Sequence, residues 1–114
     1  AIHDVGKAIN PTGVEGQIEG GVATGIGYAL YENVALKEDN QWVNSFSEYL
    51  LATAKDMPNI QTIILEIPEA SGPYGVKGIG ESVLVPTAPA ITNAVYNALG
   101  KRITSIPINP EDLL

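Results

Sequence analysis

The stretch Asn10 to Leu30, NPTGVEGQIEGGVATGIGYAL, decides the fold. Asn10 can accept a hydrogen bond from an orphan backbone N–H, and Pro11 has no N–H to satisfy, so the pair predicts a helix start. Val14, Ile18, Val22, Ile26, Ala29 and Leu30 recur at helical spacing and predict one apolar stripe. Gly16, Gly20, Ala23 and Gly27 make a second stripe of small residues. Inside a helix, Gly20, Gly21, Gly25 and Gly27 each cost about 1 kcal/mol relative to alanine, so keeping them predicts a close backbone approach on that side.

Outward from this helix, the N-terminal residues read as the tail of a strand, consistent with a split subunit or an excised piece of a longer polypeptide. LKEDNQWVNSF, Leu36 to Phe46, predicts a turn around Asp39-Asn40 between two short extended segments, the second anchored by Trp42. Ile60 to Ile67 is rich in β-branched residues and predicts a partly or wholly buried strand ended by Pro68. GPYGVKGIGES, Gly72 to Ser82, is too irregular for helix or strand and reads as a shaped loop. Pro89 opens a second helix with Ile91, Ala94, Val95, Ala98 and Leu99 at helical spacing, and Gly100 stops it. The tail alternates briefly as a last strand and turns at Asn109-Pro110. The expectation is an α+β fold, a mixed sheet with two main helices, with residues 1–114 as a single domain or fragment.

Bulk properties narrow the function classes. With 114 residues, 45% hydrophobic and only 17% charged, the chain is globular, and its mean hydropathy of +0.10 leaves more apolar surface than so small a body hides easily. That predicts a partner, and self-association in isolation. A formal charge of −7 repels a phosphate backbone or an anionic membrane, and no run approaches the roughly 20 apolar residues of a membrane helix. The reading is a cytoplasmic chain with neither nucleic acid nor membrane as partner. Without cysteine there is no thiolate-held iron–sulfur cluster here, and one histidine is too few for an ordinary zinc site, so no protein-ligated metal is expected.

Glu81 is the most informative candidate, an acid at the end of a glycine-rich loop just before a helix. Such a loop can wrap a bulky ligand and present one carboxylate to it as a general base. A solvated surface acid, or a first-turn acid favoured by the helix dipole, is the commoner reading of such a residue. Gln17 could donate and accept at once beside the glycine stripe, or be an ordinary exposed glutamine. Lys77 could meet an anion, although a surface lysine is the plainer reading. TGIGYAL, Thr24 to Leu30, has Leu30 in place of the third glycine of a dinucleotide fingerprint, with the glycines inside the helix. His3 and Asp4 are adjacent on a strand and point to opposite faces, so His3 is read as structural.

The strings DVGKAINP, GQIEGG, GIGYALYE, AKDMPNI, GPYGVKGIGES and APAITNAV, in this order and spacing, resemble the C-terminal region of the large, molybdopterin-binding subunit of molybdenum hydroxylases of the xanthine dehydrogenase and aldehyde oxidoreductase family. The resemblance covers essentially the whole chain and implies part of a molybdopterin-binding domain. It implies oxidative hydroxylation of an aldehyde or N-heterocycle with water-derived oxygen, Glu81 being the base that deprotonates a molybdenum-bound hydroxide. It further implies that Gln17, Gly78 and Gly80 line a molybdenum–molybdopterin cofactor shared with other segments of the subunit, with iron–sulfur clusters and FAD on other domains or subunits. The isolated chain is then inactive. The competing expectation is a non-catalytic assembly module that keeps the fold without the cofactor.

Overall fold

The structure, a computed structural model, describes residues 1–114. The elements are β1 (Ile2–Asp4), α1 (Pro11–Leu30), β2 (Ile63–Leu65) and α2 (Thr87–Leu99), with one-turn 3-10 helices at Pro73–Gly75, Glu81–Val83 and Pro110–Leu113. The two main helices and the α+β class are as expected. The sheet is a parallel pair, Ile2 opposite Ile63, His3 opposite Ile64 and Asp4 opposite Leu65. An antiparallel bridge, Leu36 to Trp42, lies apart from it.

Helix α1 begins as its cap chemistry dictates: the Asn10 side-chain oxygen accepts from the Gly13 N–H at 3.1 Å, and Pro11 follows. Its stripe enters the core. Ile18 and Ala29 are fully buried, Val14 and Ile26 nearly so, while Leu30 at the end remains exposed. Val5, Val14, Ile18 and Val83 form the central cluster, with Ala8, Val22, Ile64 and Ile79 packed around it. The close approach predicted for the glycines occurs at three of the four, Gly20 being the exception. A Cβ on Gly21 would sit 2.6 Å from Cβ of Val83, one on Gly25 would strike Thr87, and one on Gly27 would meet the Glu32 carboxylate.

Several local expectations change. Helix α2 starts at Thr87, two residues before Pro89, because Pro89 occupies its first turn, where a missing N–H costs nothing. It ends as predicted on Gly100, at φ 69°. The strand expected over residues 60–67 shrinks to Ile63–Leu65. Trp42 is no anchor, being 58% exposed, although the turn at Asn40 forms with φ 61° and the Lys37 N–H donates to Gln41 O at 2.9 Å. The tail forms no strand; Ile103 and Ile108 are buried singly, and the Ile108 N–H donates to Ala29 O at 2.8 Å. The segment after α1 is tied back by Tyr49, whose hydroxyl donates to Glu32 at 2.5 Å. That bond raises the pKa of Tyr49, because the carboxylate holds the phenolic proton.

Burial is sparse. Only 13 of 114 residues are buried, and of α2 only Thr87 and Ala88 are. The radius of gyration is 17.2 Å, against about 13 Å for a compact chain of this size. The accessible surface is 7894 Å², where about 6,000 Å² is usual for this mass. The excess is apolar in good part, with Phe46, Val85, Ile9 and Ile67 all more than half exposed. No helix is long and apolar enough to cross a membrane.

Candidate functional site

Glu81 owes its position to its neighbour Val83. Gly21 has no side chain, so Val83 reaches the α1 backbone and is buried to 1% among Val5, Val14 and Ile18. The turn Glu81–Val83 is closed by the Leu84 N–H donating to Glu81 O at 3.1 Å. The carboxylate of Glu81 is exposed, beside the face of α1 that carries Gln17. Gln17, Gly21 and Thr24 stand three or four residues apart and share that face.

Between the two elements lies a cleft of about 380 Å³ lined by Gly16, Gln17, Gly20, Gly21, Thr24, Gly80, Glu81 and Leu84. The structure therefore brings Gln17, Gly80 and Glu81 together. Gly78 is not part of this lining; it sits two residues before Gly80 on the same exposed loop. Sequence reasoning passed over Thr24 and Leu84. Thr24 carried a usable signal, lying two helical turns from Gln17, and its hydroxyl is occupied with Gly20 O at 2.8 Å.

The cleft is lined by backbone. A Cβ built on Gly16, Gly20 or Gly80 would meet nothing within 4 Å, so the wall is bare where side chains would otherwise fill the space, although the N–H and C=O groups of Gly16 and Gly20 are engaged within α1. A volume of this order suits a small ligand or part of a cofactor. A flat polar group can lie against such a wall, with Gln17 supplying both a donor and an acceptor. No three His, Cys, Asp or Glu side chains converge to hold a metal ion. A metal here would have to arrive with its own ligands, which fits a cofactor-borne metal. A larger apolar hollow of about 570 Å³ opens beside Val83, lined by His3, Ile26 and Ile91 among others. It lacks a carboxylate, so the smaller cleft is the better candidate for proton transfer.

The loop that carries Glu81 is anchored upstream. Lys77 forms an ion pair with Asp4, whose carboxylate also accepts from the N–H groups of Gly6 at 3.0 Å and Ile67 at 3.1 Å. The hydrogen bond from Lys77, reinforced by those two, lowers the Asp4 pKa to about 2. Glu69 also falls below its ordinary value, through bonds from the backbone and hydroxyl of Ser71. The plain reading of Lys77 as a surface lysine is thus incomplete. His3 and Asp4 form no pair, and His3 lines the apolar hollow instead.

Residues 1–58 match the family model of the molybdopterin cofactor-binding domain. The chain belongs to the molybdopterin cofactor-binding domain family. It is 37% identical over 114 residues to the xanthine dehydrogenase molybdenum-binding subunit of Escherichia coli, covering 98% of this chain and 15% of that one. Against the nicotine 6-hydroxylase large subunit of Paenarthrobacter nicotinovorans, identity is 39% over 118 residues, covering 100% and 14% respectively. The crystal structure of quinoline 2-oxidoreductase from Pseudomonas putida 86 superimposes with a TM-score of 0.89 and 39% identity over 98% of this chain and 15% of that one. The chain therefore spans about one seventh of the length of the relatives it matches. The family likeness extends through the fold, since α1, the glycine loop and α2 all lie within the superimposed part.

Proposed function

We propose that this chain forms one wall of the active site of a molybdenum hydroxylase, with Glu81 as general base. The observation that carries the reading is the cleft in which Glu81 and Gln17 face a floor of bare glycine backbone. When bound, the molybdenum–molybdopterin group supplies the redox chemistry, by which an aldehyde or N-heterocycle and water yield the hydroxylated product, two protons and two electrons. Glu81 takes the first of those protons on a carboxylate oxygen and returns it to solvent. Gln17 holds the polar edge of the cofactor, and the backbone of Gly78 and Gly80 lets it approach closely. Other segments of the subunit complete the pocket around the carboxylate. Iron–sulfur and flavin partners carry the electrons away, and the setting is the cytoplasm. Family membership and the names of the relatives support these assignments.

The test is Glu81→Gln in the complete enzyme. Turnover should fall by about 10² to 10⁴ with the molybdenum content unchanged. Turnover within a few-fold of wild type would remove the base from the mechanism. The extent of exposed apolar surface favours a second reading, an assembly module without cofactor. Metal analysis of the assembled complex separates the two, since stoichiometric molybdenum excludes the second.

A further inference from the structure

The hydrogen bonds at the end of β1 gather three separate parts of the chain on one carboxylate. Oδ1 of Asp4 accepts from Gly6 N at 3.0 Å and from Ile67 N at 3.1 Å, while Oδ2 accepts from Nζ of Lys77. The Lys77 N–H in turn donates to Val5 O at 2.8 Å. Gly6 completes the seat. At φ +69° it is one of the few places in the chain that require glycine, and a Cβ there would run into Gly75 O and come within 3.0 Å of Lys77 N. The loop backbone thus lies directly on Gly6.

Beyond Lys77 the support thins. Gly78 and Gly80 touch nothing that a side chain at those positions would reach, and between them only Ile79 packs against the central cluster before Val83 enters the core. Glu81 therefore lies on a short span held by Lys77, Ile79 and Val83, with two glycines as its weak points. Loosening one of these holds lets the carboxylate wander, and a misplacement near 1 Å can cost about 10² in rate.

We propose that Asp4 and Lys77 form a clamp that positions the glycine loop, and through it Glu81, on the end of β1. Its effect on turnover rests on the reading of Glu81 as the base, whereas its effect on the loop does not. Asp4 and Lys77 are positioning residues and touch no reacting atom. Glu69, held by Ser71, also faces Lys77 but accepts no bond from it, so it cannot replace Asp4 without moving the loop.

The experiment uses the complete, cofactor-loaded enzyme with Lys77→Gln, Asp4→Asn, the double variant, Lys77→Arg and Glu81→Gln. Hydrogen exchange across residues 77–82 should quicken about tenfold in Lys77→Gln and Asp4→Asn. In the same variants kcat should drop about 10- to 100-fold with KM within about threefold. The double variant should fall no further than the worse single, and Lys77→Arg should recover most of both readouts. If Asp4→Asn does not assemble, Lys77→Gln carries the test alone, since it leaves both backbone N–H donors to Asp4, those of Gly6 and Ile67, in place. Unchanged loop exchange in Lys77→Gln overturns the clamp, and so do kcat losses that multiply in the double variant. Faster exchange with full kcat overturns the positioning role. If Glu81→Gln retains turnover while Lys77→Gln still loosens the loop, the base assignment fails and the clamp stands.

Discussion

Gly20 and Gly21 are neighbours on one helix, yet alanine should act on them with opposite sign. On Gly21 the new methyl would lie 2.6 Å from Cβ and 2.9 Å from Cγ1 of Val83, and 3.4 Å from Leu84 N. Val83 is 1% exposed and packed among Val5, Val14 and Ile18, so the new methyl must push it out of those contacts. Overpacking of this kind costs about 1 to 3 kcal/mol, and the gain in helix propensity offsets about 1 kcal/mol of it. At Gly20 nothing lies within 4 Å of the new methyl, so only the gain of about 1 kcal/mol remains. The two variants should therefore differ by about 1 to 3 kcal/mol, or roughly 5- to 150-fold in the opening constant of the helix. Hydrogen exchange of the α1 amides in the complete subunit measures that ratio directly. Equal shifts in the two variants, or a more protected helix in Gly21→Ala, would refute the assignment of Gly21 as the seat of Val83.

Asn10→Ala should destabilise the start of α1 by about 1 kcal/mol, read as faster exchange confined to its first turn. Val83→Ala removes two methyl groups from a fully buried site; it should cost about 2 kcal/mol in urea unfolding and also lower turnover, because Glu81 loses its downstream anchor. The Asp4 carboxyl titrates near 2 in the folded chain instead of 3.8. A depressed folded value means that its contribution is complete above pH 3.8 and is lost as the pH falls toward 2. In acid titration, Asp4→Asn should therefore be less stable than wild type at neutral pH, and the gap should close through that window. A constant gap down to pH 2 would contradict it.

How much was legible varied with the range of the interactions. Helix α1 was read correctly from Asn10-Pro11 and the apolar period because capping and periodicity are local. The glycines were half understood. Close approach explains Gly21 and Gly25, but Gly16 and Gly20 face open space, and one residue type leaves the same letter for both uses. Periodicity marked the apolar face of α2, yet it cannot say how much of that face this chain covers; Ile91 and Val95 are half-buried, whereas Leu99 is exposed, as is Trp42. The last strand failed for want of a partner, since Ile103 and Ile108 bury separately. Asp4 was weighed only beside His3, because its real partners at Ile67 and Lys77 lie 63 and 73 residues away and leave no local trace. The meeting of Gln17 with Glu81 likewise could be anticipated only from the family resemblance, not from any period or spacing within the chain.

The pairing of β1 with β2 has a kinetic consequence. Its partners are separated by about 60 residues, so joining them closes a loop whose entropy costs about 3 to 4 kcal/mol before three residue pairs can repay it. Contacts of that range form late, after α1 has wound and collected its nearest apolar neighbours. Weakening substitutions at Ile63 or Leu65 should accordingly quicken unfolding far more than they slow folding, leaving β1 free for longer in nascent chains. During that interval an unpaired strand edge and a half-covered helix face are presented together, the kind of surface through which incompletely folded chains associate.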